Sequence, residues 1–128
     1  MTDIDDSSAP HPGVAATIEW PTRRTAVVTP VGEIDLNLAA ELRRELLGAV
    51  TDGAETVVVD MASTTFIDSM TLGVLLGAAR RLQQRGGELR IACVDPNIRR
   101  IFEITLLDRV FALYPSLDDA LGRSATAP

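Results

Sequence analysis

The chain has 128 residues, 46% of them apolar and only 4% aromatic, with a formal net charge of −6 and one cysteine. That length fits a single domain with a core of Val, Leu, Ile and Ala. The negative charge and the absence of a basic run argue against nucleic acid as a partner, and a lone cysteine excludes an intrachain disulfide.

Residues 1–13 are acidic, then rich in Ser, Pro and Gly, and read as a disordered tail. The only histidine, His11, lies there between two prolines, with no neighbour for catalysis or metal binding. Met1 to Asp6 lacks the basic region and apolar stretch of a secretory signal. No segment approaches the roughly 18 consecutive apolar residues of a membrane-spanning helix. A cytoplasmic protein without a membrane partner is expected, folded over 14–122, with residues 123–128 frayed.

Val14–Trp20 and Thr25–Val31 read as two strands around a turn at Pro21–Arg24, forming a hairpin. Pro30 stops the ladder or places it at an edge. Gly32–Asn37 leads into a helix, which Asp35 or Asn37 can cap. Leu38, Leu42, Leu46 and Ala49 recur at helical spacing, and Thr51-Asp52-Gly53 ends the run. Glu55–Asp60 is continuous and β-branched, as a strand buried on both faces should be. A second helix runs from the Asp68-Ser69 pair to about Gln84, with Leu72, Leu75, Leu76, Ala79 and Leu82 on its core face. Arg85-Gly86-Gly87 stops it. Glu88–Val94 is the next strand and holds Cys93 as a small buried side chain. Asp95 caps a third helix with Pro96 at its first position. Val110–Leu113 is a short strand, and Ser116 caps a last helix. The order β-β-α-β-α-β-α-β-α predicts an α/β fold. It has about five strands in a mostly parallel sheet, an N-terminal antiparallel hairpin and about four helices.

Enzyme signatures are missing. There is no lysine for a phosphate loop, no G-x-G-x-x-G after a strand and no histidine to serve Ser69 as a base. His and Cys are too few for a metal site. A carboxylate-only magnesium site from Asp35, Asp60 and Asp68 is weaker than the plain alternative of two caps and a strand-end carboxylate. No cofactor is expected.

The informative stretch is Phe66-Ile67-Asp68-Ser69-Met70-Thr71-Leu72-Gly73-Val74. By position alone, Asp68 and Ser69 are helix-capping residues. The side of the helix away from the core carries Met70, Gly73, Val74 and Gly77, and turns charged only at Arg81. A surface helix normally shows water a polar face, so this patch suits a partner. In an open α/β sheet, loops after parallel strands gather on one rim. Gly32–Asn37, with Glu33, Asp35 and Asn37, is thus expected beside Phe66–Met70.

The element order, Gly32-Glu33-Ile34-Asp35 before the first helix, and the Asp-Ser-x-x-Leu-Gly pattern at Asp68–Gly73 resemble the STAS domain. The likeness is to stand-alone anti-sigma factor antagonists of bacteria, and it covers about Ala15 to Leu121. The resemblance implies partner switching. The unmodified protein binds an anti-sigma factor, usually a serine-protein kinase, and so frees a sigma factor. The kinase phosphorylates the serine after the aspartate, here Ser69, and a phosphatase resets it. Glu33, Asp35, Asn37, Asp68, Ser69, Met70, Gly73, Val74 and Gly77 form the expected partner surface on a monomer or weak homodimer. Many members have small residues after the serine, whereas this chain has Met70 and Thr71. Thr64, Thr65 and Thr71 are further hydroxyls, so the modified residue stays open. A second reading is a constitutive interaction module without the switch: a stress-complex scaffold or a small subunit of a lipid-transport ATPase.

Overall fold

The structure, a computed structural model, describes residues 16–33 and 36–122, apart from the side chains of residues 32, 33, 36, 37, 65 and 66. The two expected tails, His11 and Asp35 lie outside the described residues.

Strands β1 (Ala16–Thr22) and β2 (Thr25–Pro30) form the expected antiparallel hairpin. β1 continues through Pro21, past its predicted end, with an irregular register between Glu19 and Thr22. Pro21 falls within this irregularity on an outermost strand, a place where proline is tolerated. β2 ends at Pro30. After β3 (Gly32–Glu33) come helix α1 (Leu36–Thr51), β4 (Thr56–Asp60), β5 (Thr64–Phe66) and α2 (Ser69–Gln84). Then follow β6 (Glu88–Ala92), α3 (Pro96–Ile104), a 3-10 turn at Leu107–Arg109, β7 (Ala112–Tyr114) and α4 (Leu117–Ala120).

The main sheet has five strands in the order β1-β2-β4-β6-β7, parallel from β2 onward. Each new parallel strand is added on the same side of the last. Right-handed crossovers then place α1, α2 and α3 on one face. Leu38, Leu42 and Leu46 of α1, Leu75 and Leu82 of α2, and Ile98 and Phe102 of α3 share one core with Ala26, Val28, Val57, Val59 and Ile91. The other face buries Val27, Val58 and Ala92 under Ala120 of α4. Val57, Val58 and Val59 are all fully buried, so β4 lies between two layers as its unbroken apolar run requires. Arg90 fixes the short α4 by donating to the Ala120 carbonyl at 2.7 Å, with its guanidinium 5.8 Å from the centre of the Tyr114 ring.

The expected caps of α3 and α4 form, whereas Asn37, one of the two cap candidates for α1, lies inside that helix. Asp95 accepts from the Asn97 N–H at 2.8 Å, and Ser116 accepts from the Asp119 N–H at 3.0 Å. Helix α2 ends with Gly86 at φ +79°, while the Gly87 N–H donates to the Leu82 carbonyl at 2.8 Å and the Gly86 N–H to that of Gln83 at 3.1 Å. Two of the helix's orphan carbonyls are thereby satisfied.

Other features of the chain also differ from expectation. β6 stops at Ala92, because the chain turns at Cys93 and Val94 toward the Asp95 cap; Cys93 is buried and Val94 is 61% exposed. The last strand begins at Ala112, not Val110, because Leu106 takes a left-handed conformation (φ 62°) and the 3-10 turn uses the next residues. β3 and β5, which pair in parallel as a separate two-stranded sheet, were not expected at all.

Candidate functional site

The site is built at the carboxyl ends of β2 and β4. After Asp60 the chain folds back on itself: the Asp60 carboxylate accepts from the Ala62 N–H at 3.1 Å, and the Thr64 N–H donates to the Met61 carbonyl at 3.1 Å. Met61 is fully buried and anchors this turn, with its N–H bonded to the Ala92 carbonyl at 2.8 Å. The buried Thr64 hydroxyl donates to the Pro30 carbonyl at 3.5 Å, tying the turn to the end of β2. From there β5 pairs with β3, Gly32 opposite Thr64 and Glu33 opposite Phe66. The two loops predicted to share a rim are therefore joined by backbone hydrogen bonds.

Ile67, 3% exposed, pins the chain to the core just before α2. Asp68 is extended (φ −128°, ψ −177°) and is the N-cap. Its Oδ1 accepts from the Thr71 N–H at 3.0 Å and from the Thr71 hydroxyl at 3.1 Å. The backbone bond from Thr71 is the main reason that the Asp68 carboxyl titrates below the usual aspartate range; the Thr71 hydroxyl and the N–H groups of Asp68 and Met70 add to it against some desolvation. At neutral pH the site carries a negative charge beside Ser69.

Asp68 alone of the pair caps the helix. Ser69 is the first helical residue, exposed, and its hydroxyl bonds to no described residue. Thr71 is fully buried and Thr64 is 2% exposed, so both are withdrawn from a modifying enzyme. The Thr65 side chain lies outside the described part of the structure. Met70 is 48% exposed, and Gly73 and Gly77 face solvent. Val74, expected with them, is half-buried against the core and forms the base of the patch. Leu76, expected in the core, is only half-buried. Asn37 is the second residue of α1, and its side chain, like that of Glu33, is outside the description.

Two residues of this rim went unforeseen. Val31 directly follows β2 and Val94 lies two residues past the end of β6; they are 45% and 61% exposed. An apolar residue just beyond a strand end is a readable signal, but here the strands were drawn through it. Among the described residues, no three His, Cys, Asp or Glu side chains stand together to hold a metal, and no helix is long and apolar enough to cross a membrane.

The family model of the STAS domain matches residues 18–120. The chain belongs to the STAS domain family. An anti-sigma F factor antagonist of Paenibacillus polymyxa is 28% identical to this STAS protein over 100 residues, 77% of this chain and 86% of that one. The solved structure of an anti-sigma factor antagonist from Mycobacterium paratuberculosis has a TM-score of 0.77 to it at 30% identity, over 89% of this chain and 97% of that one. The anti-sigma factor antagonist SpoIIAA, in its unphosphorylated form, has a TM-score of 0.74 at 25% identity, over 85% and 95% of the two chains. The five-stranded mixed sheet with its antiparallel first hairpin is the STAS architecture.

Proposed function

We propose that this STAS protein is an anti-sigma factor antagonist switched by phosphorylation of Ser69. In its unmodified form it binds an anti-sigma factor of the serine-kinase type and so releases a sigma factor. The names of its relatives support the general role. The observation that carries the switch is the division of labour at the start of α2. Asp68 caps the helix, and Ser69 presents a hydroxyl with no bond to any described residue, next to the exposed Met70.

The physics of the switch is local. A phosphate on Ser69 adds about −1.5 to −2 charge. The N–H groups and dipole of the helix start tolerate that charge within the chain. At the edge of an apolar interface, beside ionised Asp68, the same charge brings desolvation and like-charge repulsion. Since ~1.4 kcal/mol is tenfold in affinity, a few kcal/mol empties the partner without refolding the domain. The partner surface is Glu33, Asp35 and Asn37, with Asp68, the N-cap of α2, and Ser69, Met70, Gly73, Val74 and Gly77 of that helix. The protein acts by binding, not by catalysis, in the cytoplasm, and a phosphatase restores the unmodified form.

The test uses wild type, Ser69→Ala and Ser69→Asp as baits in lysate of the native cell, with the intact mass of each bait read afterwards. Wild type and Ser69→Ala should retain a kinase-type anti-sigma factor, Ser69→Asp should lose it, and only wild type should gain phosphate. Equal retention on all three baits without added mass would replace the switch with a constitutive module.

A further inference from the structure

Helix α2 carries two glycines, Gly73 and Gly77, on its exposed side. Glycine within a helix weakens it relative to alanine, so such a residue usually answers a need of the chain itself. Neither does here. Both have ordinary negative φ, and, beyond the adjoining backbone of the helix itself, a Cβ built on either meets no atom within 4 Å. The missing side chains leave room that the described chain does not use.

That room has a shape. Ser69, Gly73, Gly77 and Arg81 follow one another at four-residue intervals and form one row along α2, about 18 Å long at the helical rise. Between this row and Arg43 and Leu47 of α1 lies a groove of about 200 Å3, with Leu46, Val74 and Ala78 at its base. Arg43 and Arg81 are exposed, and neither bonds to any described residue. Among the described residues no carboxylate lines the groove, although the chain as a whole carries a net charge of −6.

We propose that this groove seats an α-helix of the protein partner, its apolar ridge over Gly73 and Gly77 and its flanking carboxylates against Arg43 and Arg81. The inference rests on the partner-binding function above and names the chemistry of the segment that is bound. A straight row at four-residue spacing fits the ridge of another helix, and absent side chains let the two backbones approach closely. The apolar base supplies burial, and the two guanidinium groups supply register and sign. The row leads directly to Ser69. A phosphate there stands at the end of the seat and sets a desolvation cost and a negative charge where the partner's segment meets it.

The anti-sigma factor recovered by wild type is purified and titrated against Gly73→Ala, Gly77→Ala, Gly48→Ala and the double variant Arg43→Glu/Arg81→Glu, each also melted alone. Gly48 lies in α1, outside the groove, and has the same empty surroundings, so it serves as the control. Each glycine replacement should raise the Tm of the free protein by about 2–6 °C. Gly73→Ala and Gly77→Ala should raise Kd tenfold or more, while Gly48→Ala leaves it unchanged. The double arginine variant should also weaken binding tenfold or more and flatten its salt dependence. Unchanged Kd in the Gly73 and Gly77 variants, or lower Tm for both, overturns the groove. Loss of binding in Ser69→Asp with full binding in every groove variant overturns the groove and leaves the switch standing. If wild type recovers no anti-sigma factor, the functional reading fails and this inference with it.

Discussion

Thr71→Val probes the start of α2 with little change of shape. The Thr71 side chain is fully buried, and its hydroxyl donates to Asp68 Oδ1 at 3.1 Å while the backbone N–H holds the same oxygen at 3.0 Å. Valine removes the first bond and keeps the second. One net hydrogen bond is worth about 0.5–1.5 kcal/mol. For a domain of this size, ~1 kcal/mol moves Tm by about 4–6 °C. Ser69→Ala removes a hydroxyl that is exposed and bonds to no described residue, and should stay within about 0.5 kcal/mol of wild type. Urea titration and thermal melting followed by circular dichroism measure both variants side by side. If Ser69→Ala costs as much as Thr71→Val, the serine is a structural member of the cap, and its availability for phosphorylation loses its basis.

Other consequences are as concrete. A Cβ at Gly87 would stand 2.3 Å from the Glu55 carbonyl oxygen and 3.1 Å from its carbon, so Gly87→Ala must move backbone. It should destabilise by about 1–3 kcal/mol in denaturant titration. Phe102 is fully buried, edge-on to Phe111 with ring centres 5.9 Å apart, and Phe102→Ala should cost about 3–5 kcal/mol by the same assay. Burial first, and the neighbouring Glu41 second, raise the pKa of Glu45. A carboxyl raised on folding opposes stability once pH exceeds its unfolded value. Glu45→Gln should therefore melt higher than wild type at neutral pH, and the difference should vanish as pH falls below the usual glutamate range.

The large periodic elements were legible because burial and period coincide in them. The valine run of β4, the leucine spacing of α1 and the glycine stop after Gln84 each stated their role. The Asp95 and Ser116 caps were equally plain, since a short polar side chain before a helix has few other uses. What escaped was set by tertiary pairing. β3 and β5 have two and three residues, too short for any periodicity, and exist only because the two rim loops meet. Thr71 reads as a polar surface residue, yet its hydroxyl is satisfied by Asp68, which permits full burial. Leu106 gives no sign of a left-handed backbone, so the 3-10 turn and the late start of β7 were missed with it. At the site, the sequence brought Asp68, Ser69 and Met70 together but could not divide their roles. That division depends on which side chain reaches the Thr71 N–H.

The central claim is that phosphate on Ser69 ends partner binding. The most direct measurement is calorimetric titration of the anti-sigma factor recovered by wild type. It is titrated against unmodified protein and against protein carrying phosphoserine at position 69 throughout. The account predicts at least a hundredfold weaker binding of the phosphorylated form, about 2.7 kcal/mol, with the fold and Tm nearly unchanged. Equal affinity of the two forms would contradict it and leave Ser69 without a regulatory role at this surface.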